Sequence, residues 1–589
     1  MSDVIQYLFK DINLLMFSII TLMIMVNGCS ENKVSADKVF INTKVITLDK
    51  NIPSAEAFAV NGDKIAAIGT REEIEKYIGD STEVIDLKGN YSYPGFNDSH
   101  AHFLGIGQSM IELDLMSANN WDEIVYMVSE AVDHAMPGAW IIGRGWHQEK
   151  WTTPPVETVE GYPTNDILSQ ATPMNPVMLT HASGHAIIAN KKAMELAGIT
   201  SETENPEGGR IVRNEKGEAI GVFEENAEKL IRSVYDEQQK QRTPEDIQNE
   251  KIREAKLAVQ ECLSNGITSL TDAGSDFATI DFFKEMIDQN ILKIRLNVMV
   301  QEDNNELRDN LDKYKITGYG NDHLRVGSIK KYMDGALGSR GAWMFEPYSD
   351  LPDHTGEAVT PLDEMRETAR IAAQKGFQLC THAIGDRANH EVLNIYDRIF
   401  KTTPDTIDYR WRIEHAQHLS PSDIPRFGEL GVIAAMQGIH CTSDAPFVIE
   451  RIGEERAEQE AYAWRKLIDA GATICNGTDS PIEKVNPIAC YYASVTRQLN
   501  DGTYFFPEEK MTREEALKSY TINGAYASFE ENKKGTLSVG KLADVTVLDT
   551  DLLSASDEEI KNAKVIFTII GGEVLYKFSN VDPDGENAN

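Results

Sequence analysis

Cysteine is scarce: the chain has six in 589 residues and no Cys-x-x-Cys pair, which excludes a disulfide scaffold and argues against a cysteine zinc site. No basic run occurs, and 57 Lys and Arg against 93 Asp and Glu leave a net charge of −36. Such a surface repels phosphate backbones, so nucleic-acid binding is not expected. The longest apolar run, Leu14 to Val26, is too short for a comfortable membrane span. There is no Gly-x-Ser-x-Gly elbow, no comparable cysteine motif and no Walker loop, so no residue competes with water as nucleophile and no loop cradles phosphate. Internal repeats and low-complexity tracts are absent too.

What is present is an ordinary globular composition, 41% apolar and 25% charged, with enough apolar residues for a sizeable core. The run from Leu14 to Val26 has the length of a signal-peptide core. It leads into Val26-Asn27-Gly28-Cys29-Ser30, which resembles the lipobox of bacterial lipoproteins. The segment before it carries Lys10 against Asp3 and Asp11, and the alternatives are a cleaved secretory signal or an overextended start. The expected layout is a signal peptide at 1–28, lipidation at Cys29 and a tether over 29–37. That places the protein on the bacterial cell envelope, facing periplasm or exterior, or else secretes it.

From Lys38 the texture is β: Val39 to Leu48, Ala57 to Val60, and Lys64 to Ile68 after the turn Asn61-Gly62-Asp63. The same texture returns at Ala543 to Leu548 and in a hairpin from Val565 to Tyr576 around Gly571-Gly572. The two ends, 38–92 and 525–577, are expected to pair into one module, with a frayed tail over 578–589.

Between them, short apolar strands alternate with amphipathic helices. Expected helices cover 247–263, Leu362 to Gln374 and Ala388 to Phe400. Strand candidates start at Ser92 to Phe96 and continue with Ile267 to Leu270, Ile294 to Val300, Val326 to Tyr332, Gln378 to His382, Trp411 to His415, Val432 to Met436 and Thr473 to Gly477. This rhythm predicts an α/β fold, a (β/α)8 TIM-type barrel over 93–524 with its active site at the C-terminal strand ends. The stretch 103–234, holding Trp121, Trp140, Trp146 and Trp151, is too long for one connection and reads as an inserted subdomain, a lid or pocket wall.

The sharpest local signal is Pro94-Gly95-Phe96-Asn97-Asp98-Ser99-His100-Ala101-His102. Residues two apart on a strand share a face, so His100 and His102 can present two imidazoles to one ion. Alone this is weak, but Lys330, His382, His415 and Asp479 also fall where a strand gives way to a loop, and in a barrel those ends converge.

Together with Gly208–Arg213 (Gly-Gly-Arg-Ile-Val-Arg), Asp334–Arg340 (Asp-Gly-Ala-Leu-Gly-Ser-Arg), His382–Ala388 (His-Ala-Ile-Gly-Asp-Arg-Ala) and Lys534–Asp544, these motifs resemble the metal-dependent amidohydrolase superfamily. Within it they resemble amidohydrolase family 3, which includes N-substituted formamide deformylase-like proteins. The resemblance covers about residues 38–577. It implies a barrel flanked by a composite β-sandwich from both chain ends. It also implies His100, His102, His382, His415 and Asp479 as ligands of one or two divalent ions, Zn²⁺ by preference, with Lys330 as a carbamylated, bridging ligand and Lys331 as its rival. Carbamylation matters because an ammonium has no lone pair to give. Asp479, beside the metal, would also move the proton from water to the leaving amine.

Other residues are less defined. His181 and His185 are four apart, but Ser183-Gly184 between them argues against a helix; His185 is either substrate-facing or structural. Arg340, Gln437 and His440 follow strand ends and are candidates for substrate contacts, and Gly438 stands where the resembled proteins usually carry proline. His418 reads as a loop residue, Cys380 and Cys475 as core residues, and Trp146 and His147 either close the site or pack the insert. The expected activity is hydrolysis of a non-peptide C–N bond in a small molecule. Alternatives are an esterase or lactonase on the same barrel, or a non-catalytic ligand-binding lipoprotein, and a homodimer is among the assemblies allowed. If Cys29 carries the anchor, Cys29→Ala shifts the protein from the membrane to the soluble fraction on cell fractionation; an unchanged distribution rejects the anchor.

Overall fold

The computed structural model describes residues 35–579, apart from 134, 241 and 403–406. The leader, Cys29 and the last ten residues lie outside the described residues.

Both chain ends build one eight-stranded sheet. Its order runs Glu573–Lys577, Val565–Ile570, Val545–Leu548, Glu83–Pro94, Lys38–Asp49, Ala57–Asn61, Lys64–Gly69, with Ile52–Ala55 added beside Lys38–Asp49. The two long strands in the middle belong to both wings, and a register shift between Ile41 and Thr43 breaks their ladder. The wings share a core: Phe40, Phe58 and Ile65 from one side meet Val545, Phe567 and Ile569 from the other. Gly571 and Gly572 both have positive φ, as a tight two-residue hairpin requires.

The barrel has eight parallel strands, Phe96–Ala101, Ile267–Ser275, Arg295–Val300, Leu324–Tyr332, Gln378–Ala383, Arg412–His415, Ile433–Met436 and Ile474–Asn476. The expected first strand is corrected. Ser92 to Pro94 end a strand of the composite sheet, Gly95 donates to the Asp544 carbonyl at 2.9 Å, and the barrel strand starts only at Phe96. Helices follow the expected pattern and run slightly longer, for physical reasons at their ends. The helix before the second strand spans Pro244–Ser264 because Thr243 caps the Asp246 amide and Pro244 occupies the first turn. Leu362–Lys375 ends at Gly376 in the left-handed region. A buried ion pair, Arg295 Nε to Asp544 Oδ2 at 2.7 Å, pins the third barrel strand to the composite sheet.

Between the first and second strands, a six-stranded mixed sheet orders Gly209–Arg213, Ala219–Glu225, Ala186–Ala189, Val177–His181, Ile141–Trp146 and Leu113–Asp114. It has hydrophobic clusters of its own, one around Trp121, Trp146 and Leu179 and one around Ile187, Phe223 and Ile231.

The strands of the barrel are laddered from the first round to the eighth, but the first and eighth themselves meet through other bonds. Asp98 on the first strand accepts from the Thr478 hydroxyl at 2.6 Å and the Thr478 amide at 3.1 Å, and from the His100 amide at 3.1 Å. Above it, Asp479 N donates to His100 O and His102 N to Ser480 O, both at 2.7 Å. A buried carboxylate with amide and hydroxyl donors is a strong link, each such bond contributing about 1.5–3 kcal/mol. Asp98→Ala therefore lowers stability by about 3 kcal/mol or more, seen as an earlier denaturant midpoint; an unchanged midpoint shows that the backbone bonds close the seam alone.

Candidate metal centre

Side chains at 98, 100 and 102 share the interior face of the first strand and the loop that follows. Asp98 is spent on the seam, and His100 and His102 stand above it. The eighth strand ends one turn of chain before Asp479, whose Oδ1 lies 3.4 Å from both His100 Nε2 and His102 Nε2. Across the barrel mouth, the His415 ring is 4.8 Å from that of His100 and 4.5 Å from that of His382. Lys330 is fully buried, with Nζ 3.3 Å from His100 Nε2. Its neighbour Lys331 turns outward to Glu364 at 3.5 Å, so only Lys330 reaches the centre. All six residues expected as ligands thus converge at one end of the barrel.

Two tight groups share Asp479: His100, His102 and Asp479, and His415, His440 and Asp479, the ligand-type atoms within each lying within 4.8 Å of one another. His440, expected as a substrate contact, therefore lies as close to the centre as the ligand candidates, its Nε2 3.8 Å from Asp479 Oδ2. His382 belongs to neither group. It packs on His415, Tyr332 and His185, with Nε2 3.7 Å from Asp334 Oδ1.

The donors fit a divalent ion. Both ring nitrogens of His382, Nε2 of His440 and Oδ1 of Asp479 are buried without a hydrogen-bond partner, a costly state that a cation relieves. Burial, helped by neighbouring positive groups such as Lys330 and one another, holds His100, His382 and His415 well below the usual imidazole range, so their lone pairs are free. Burial opposes the charge of Asp479, but the close imidazoles of His102, His100 and His440 outweigh it and keep its carboxyl below the usual range. Burial also lowers the Lys330 amine.

A second layer aims these ligands. Glu414 bonds His100 Nδ1 and is gripped by Arg412 through Nε at 2.7 Å and Nη2 at 2.8 Å, while Nη2 also donates to Ser99 O at 2.7 Å. Gln437 Oε1 meets His415 Nδ1 at 2.8 Å. Asp334 accepts from the amides of Trp343, Gly385 and Ile384 at 2.8–2.9 Å, fixing the loop after His382. Arg412, Glu414 and Asp98 are functional residues that the strand-end pattern missed. The alternation Arg412-x-Glu414 before His415 is the signal for the first two, since it puts both side chains inside the barrel, and the place of Asp98 two residues before His100 is the signal for the third.

Two expectations are corrected, and the Gly438 position is explained. Gln437 is buried and orients His415 instead of facing substrate. Arg340 is held by Asp350 at 2.8 Å and does not line the cavity at the barrel mouth. The Gly438 amide donates to Asn476 Oδ1 at 2.9 Å and starts the helix Gly438–Ile452, a bond that proline could not make.

A cavity of about 450 Å³ opens over the centre, walled on the far side by Arg144, His147 and His185 of the insert. His181 and His185 lie on a hairpin rather than a helix, and His185 Nδ1 meets Glu225 Oε2 at 2.9 Å. Glu225 in turn fits against Gly335 and Gly341, where a β-carbon would come within 2.1 and 2.4 Å of its Oε1; the Asp-Gly-Ala-Leu-Gly-Ser-Arg loop thus makes room for it. Trp146 packs the insert, donating to Leu179 O at 2.8 Å, whereas His147 joins the cavity wall against Phe447. His418 lies in the loop after the sixth strand, as expected, and is buried there, and Cys380 and Cys475 are buried free thiols.

Residues 83–576 match the model of the amidohydrolase family. The chain belongs to the amidohydrolase family. It is 31% identical over 557 residues to Protein LONG AFTER FAR-RED 3 of Arabidopsis thaliana, covering 92% of each chain. To the N-substituted formamide deformylase of Arthrobacter pascens it is 26% identical over 553 residues, 92% of this chain and 98% of the relative. The crystal structure of an uncharacterized metal-dependent hydrolase from Pyrococcus furiosus superposes with a TM-score of 0.67 at 27% identity, over 88% of this chain and 100% of that one. In this amidohydrolase the layer behind the ligands is testable. Glu414→Gln should weaken metal affinity by roughly 10- to 100-fold in a chelator competition while circular dichroism stays native; unchanged affinity means Glu414 serves only Arg412.

Proposed function

We propose that this amidohydrolase cleaves a non-peptide C–N bond of a small molecule, an amide, an N-substituted formamide or a cyclic amide, using water as nucleophile. The observation that carries the reading is Asp479, held ionised among His100, His102 and His440 at the floor of the cavity. His100, His102, His382 and His415 would hold one or two divalent ions, with Zn²⁺ the best match to imidazole and carboxylate donors. Lys330, its amine lowered by burial, suits carbamylation into an anionic oxygen donor. A divalent ion there supplies Lewis acidity, enough to bring the pKa of water to about 7 and to polarise a carbonyl.

The chain's own residues do the rest. Asp479 takes the proton from the attacking water and returns it to the departing nitrogen, which cannot leave as an amide anion. The insert forms one wall of the cavity over the centre, and the N-deformylating relative supports a small acyl group. The Leu14–Cys29 segment supports a place in the cell envelope for this chemistry.

Metal-reconstituted protein should turn over members of an amide and formamide panel. The double variant His100→Ala with His102→Ala should lose both bound metal and turnover, and metal at wild-type stoichiometry in it would reject the site. Asp479→Asn should cost amides about 10²–10⁴-fold and esters far less, since an alkoxide leaves more easily than an amide anion. An equal loss on both removes the proton-transfer role, and turnover of esters or lactones alone establishes the esterase alternative.

A further inference from the structure

The charged side chains that line the cavity are nearly all matched. Glu483 faces Lys150 at 3.1 Å, Glu225 faces His185 at 2.9 Å, and Asp444 accepts from the Tyr462 hydroxyl at 2.7 Å and Gln417 Nε2 at 3.0 Å. Asp479 and Lys330 belong to the metal centre. Arg144 is the exception. It projects from the insert strand Ile141–Trp146 into the cavity wall, and its bonds go to two backbone carbonyls, Nε to Pro481 O at 3.1 Å and Nη2 to Ala182 O at 3.0 Å. Among the described residues no carboxylate lies within ion-pair distance of it.

Glu112, Asp479 and Glu228 favour the charge of Arg144 from a distance, but its direct bonds go only to carbonyls, so the guanidinium has no carboxylate in hydrogen-bond contact and lacks the stronger, charge-assisted bonds such a contact would give. Burial already pushes it down to about 10, yet it stays charged at neutral pH. Both Arg144 and Gly184 line the cavity, and Gly184 brings no side chain over the guanidinium, where a β-carbon would sit 3.7 Å from Nη2 and 3.9 Å from Nη1. Its anchor, Pro481, is two residues from Asp479, and two residues of chain span at most about 7 Å. The guanidinium is thus within roughly 10 Å of the Asp479 backbone, and both side chains line the same cavity, so one small substrate can span from the centre to Arg144.

The geometry points to Arg144 as the anion subsite of the cavity, so that the substrate is an amide carrying a carboxylate or similar anion a short chain away from the scissile C–N bond. A carboxylate there meets the guanidinium fork that Arg144 does not use on Pro481 and Ala182, and the fixed backbone carbonyls keep that fork aimed. The substrate class rests on the hydrolase reading above; the anion site itself does not.

The test compares N-formyl ω-amino acids of two to six carbons with their primary carboxamides, matched in shape and differing in charge. In metal-loaded wild type, kcat/KM for the acid of best length should exceed that for its carboxamide by tenfold or more. Arg144→Gln should bring the ratio close to one, and Arg144→Lys should restore part of it. Calorimetric Kd values for the same pairs are measured in parallel. If neither member of any pair is turned over but the acid still binds tenfold tighter than the carboxamide in wild type and not in Arg144→Gln, the hydrolase reading fails and the anion site stands. Equal losses on acid and carboxamide in Arg144→Gln show a purely structural clamp on Pro481 and overturn the proposal. So does a wild type that favours the carboxamide, or an acid preference that survives the substitution.

Discussion

Everything at the barrel mouth depends on how the first strand meets the eighth. A rolled sheet has to close on itself with a fixed stagger, and here the joint has no regular ladder. The Asp98 carboxylate spans it, with Thr478 on the far side, and two backbone bonds stack above. The stagger that Asp98 sets is also the stagger that brings His100 and His102 to 3.4 Å from Asp479. A slip of one residue would turn the histidines away from the interior. Closure of the barrel and assembly of the ligand set are therefore one event.

Around that joint the interior is organised by charge. Four imidazoles within a few ångströms of one another are tolerable in a buried space only if most are neutral, and burial drives them that way. The same burial makes a lone carboxylate expensive, so Glu414 is matched by Arg412 and Asp334 by three amides. Asp479 is the member whose donors are ligands themselves, which leaves its oxygens available for chemistry. The large negative charge of the whole chain has no part in this; it belongs to the outer surface, where it favours solubility.

The parts of this arrangement legible in the sequence are those with local signatures. Strand and helix periodicity, the Gly571-Gly572 turn, and ligands at strand ends are read from neighbours in the chain. Asp98 was in plain view within the His-x-His motif, but its partner Thr478 is 380 residues away, and no spacing rule links them. Arg340 and Gln437 were placed near the site by position alone; a strand-end position says which end of the barrel a residue occupies, not which way its side chain turns. Arg340 found Asp350, and Gln437 found His415. Arg144 carries no motif at all, since what sets it apart is that no carboxylate among the described residues pairs with it directly, which only packing reveals. The first strand was placed too early because Tyr93 and Phe96 are both buried apolar residues serving different sheets on either side of Gly95.

The composite sheet has a temporal consequence. Phe96 at the start of the barrel bonds Thr546, 450 residues later, and the sheet that receives both chain ends is complete only with the hairpin at Val565–Lys577. Contacts of such sequence separation form late. As the chain leaves the ribosome, the first strands wait with open edges through the synthesis of the insert and seven further strands. A half-made molecule holds His100 and His102 without Asp479. The candidate ligand set is therefore complete only after Asp479, the last of its members in the chain, has been made.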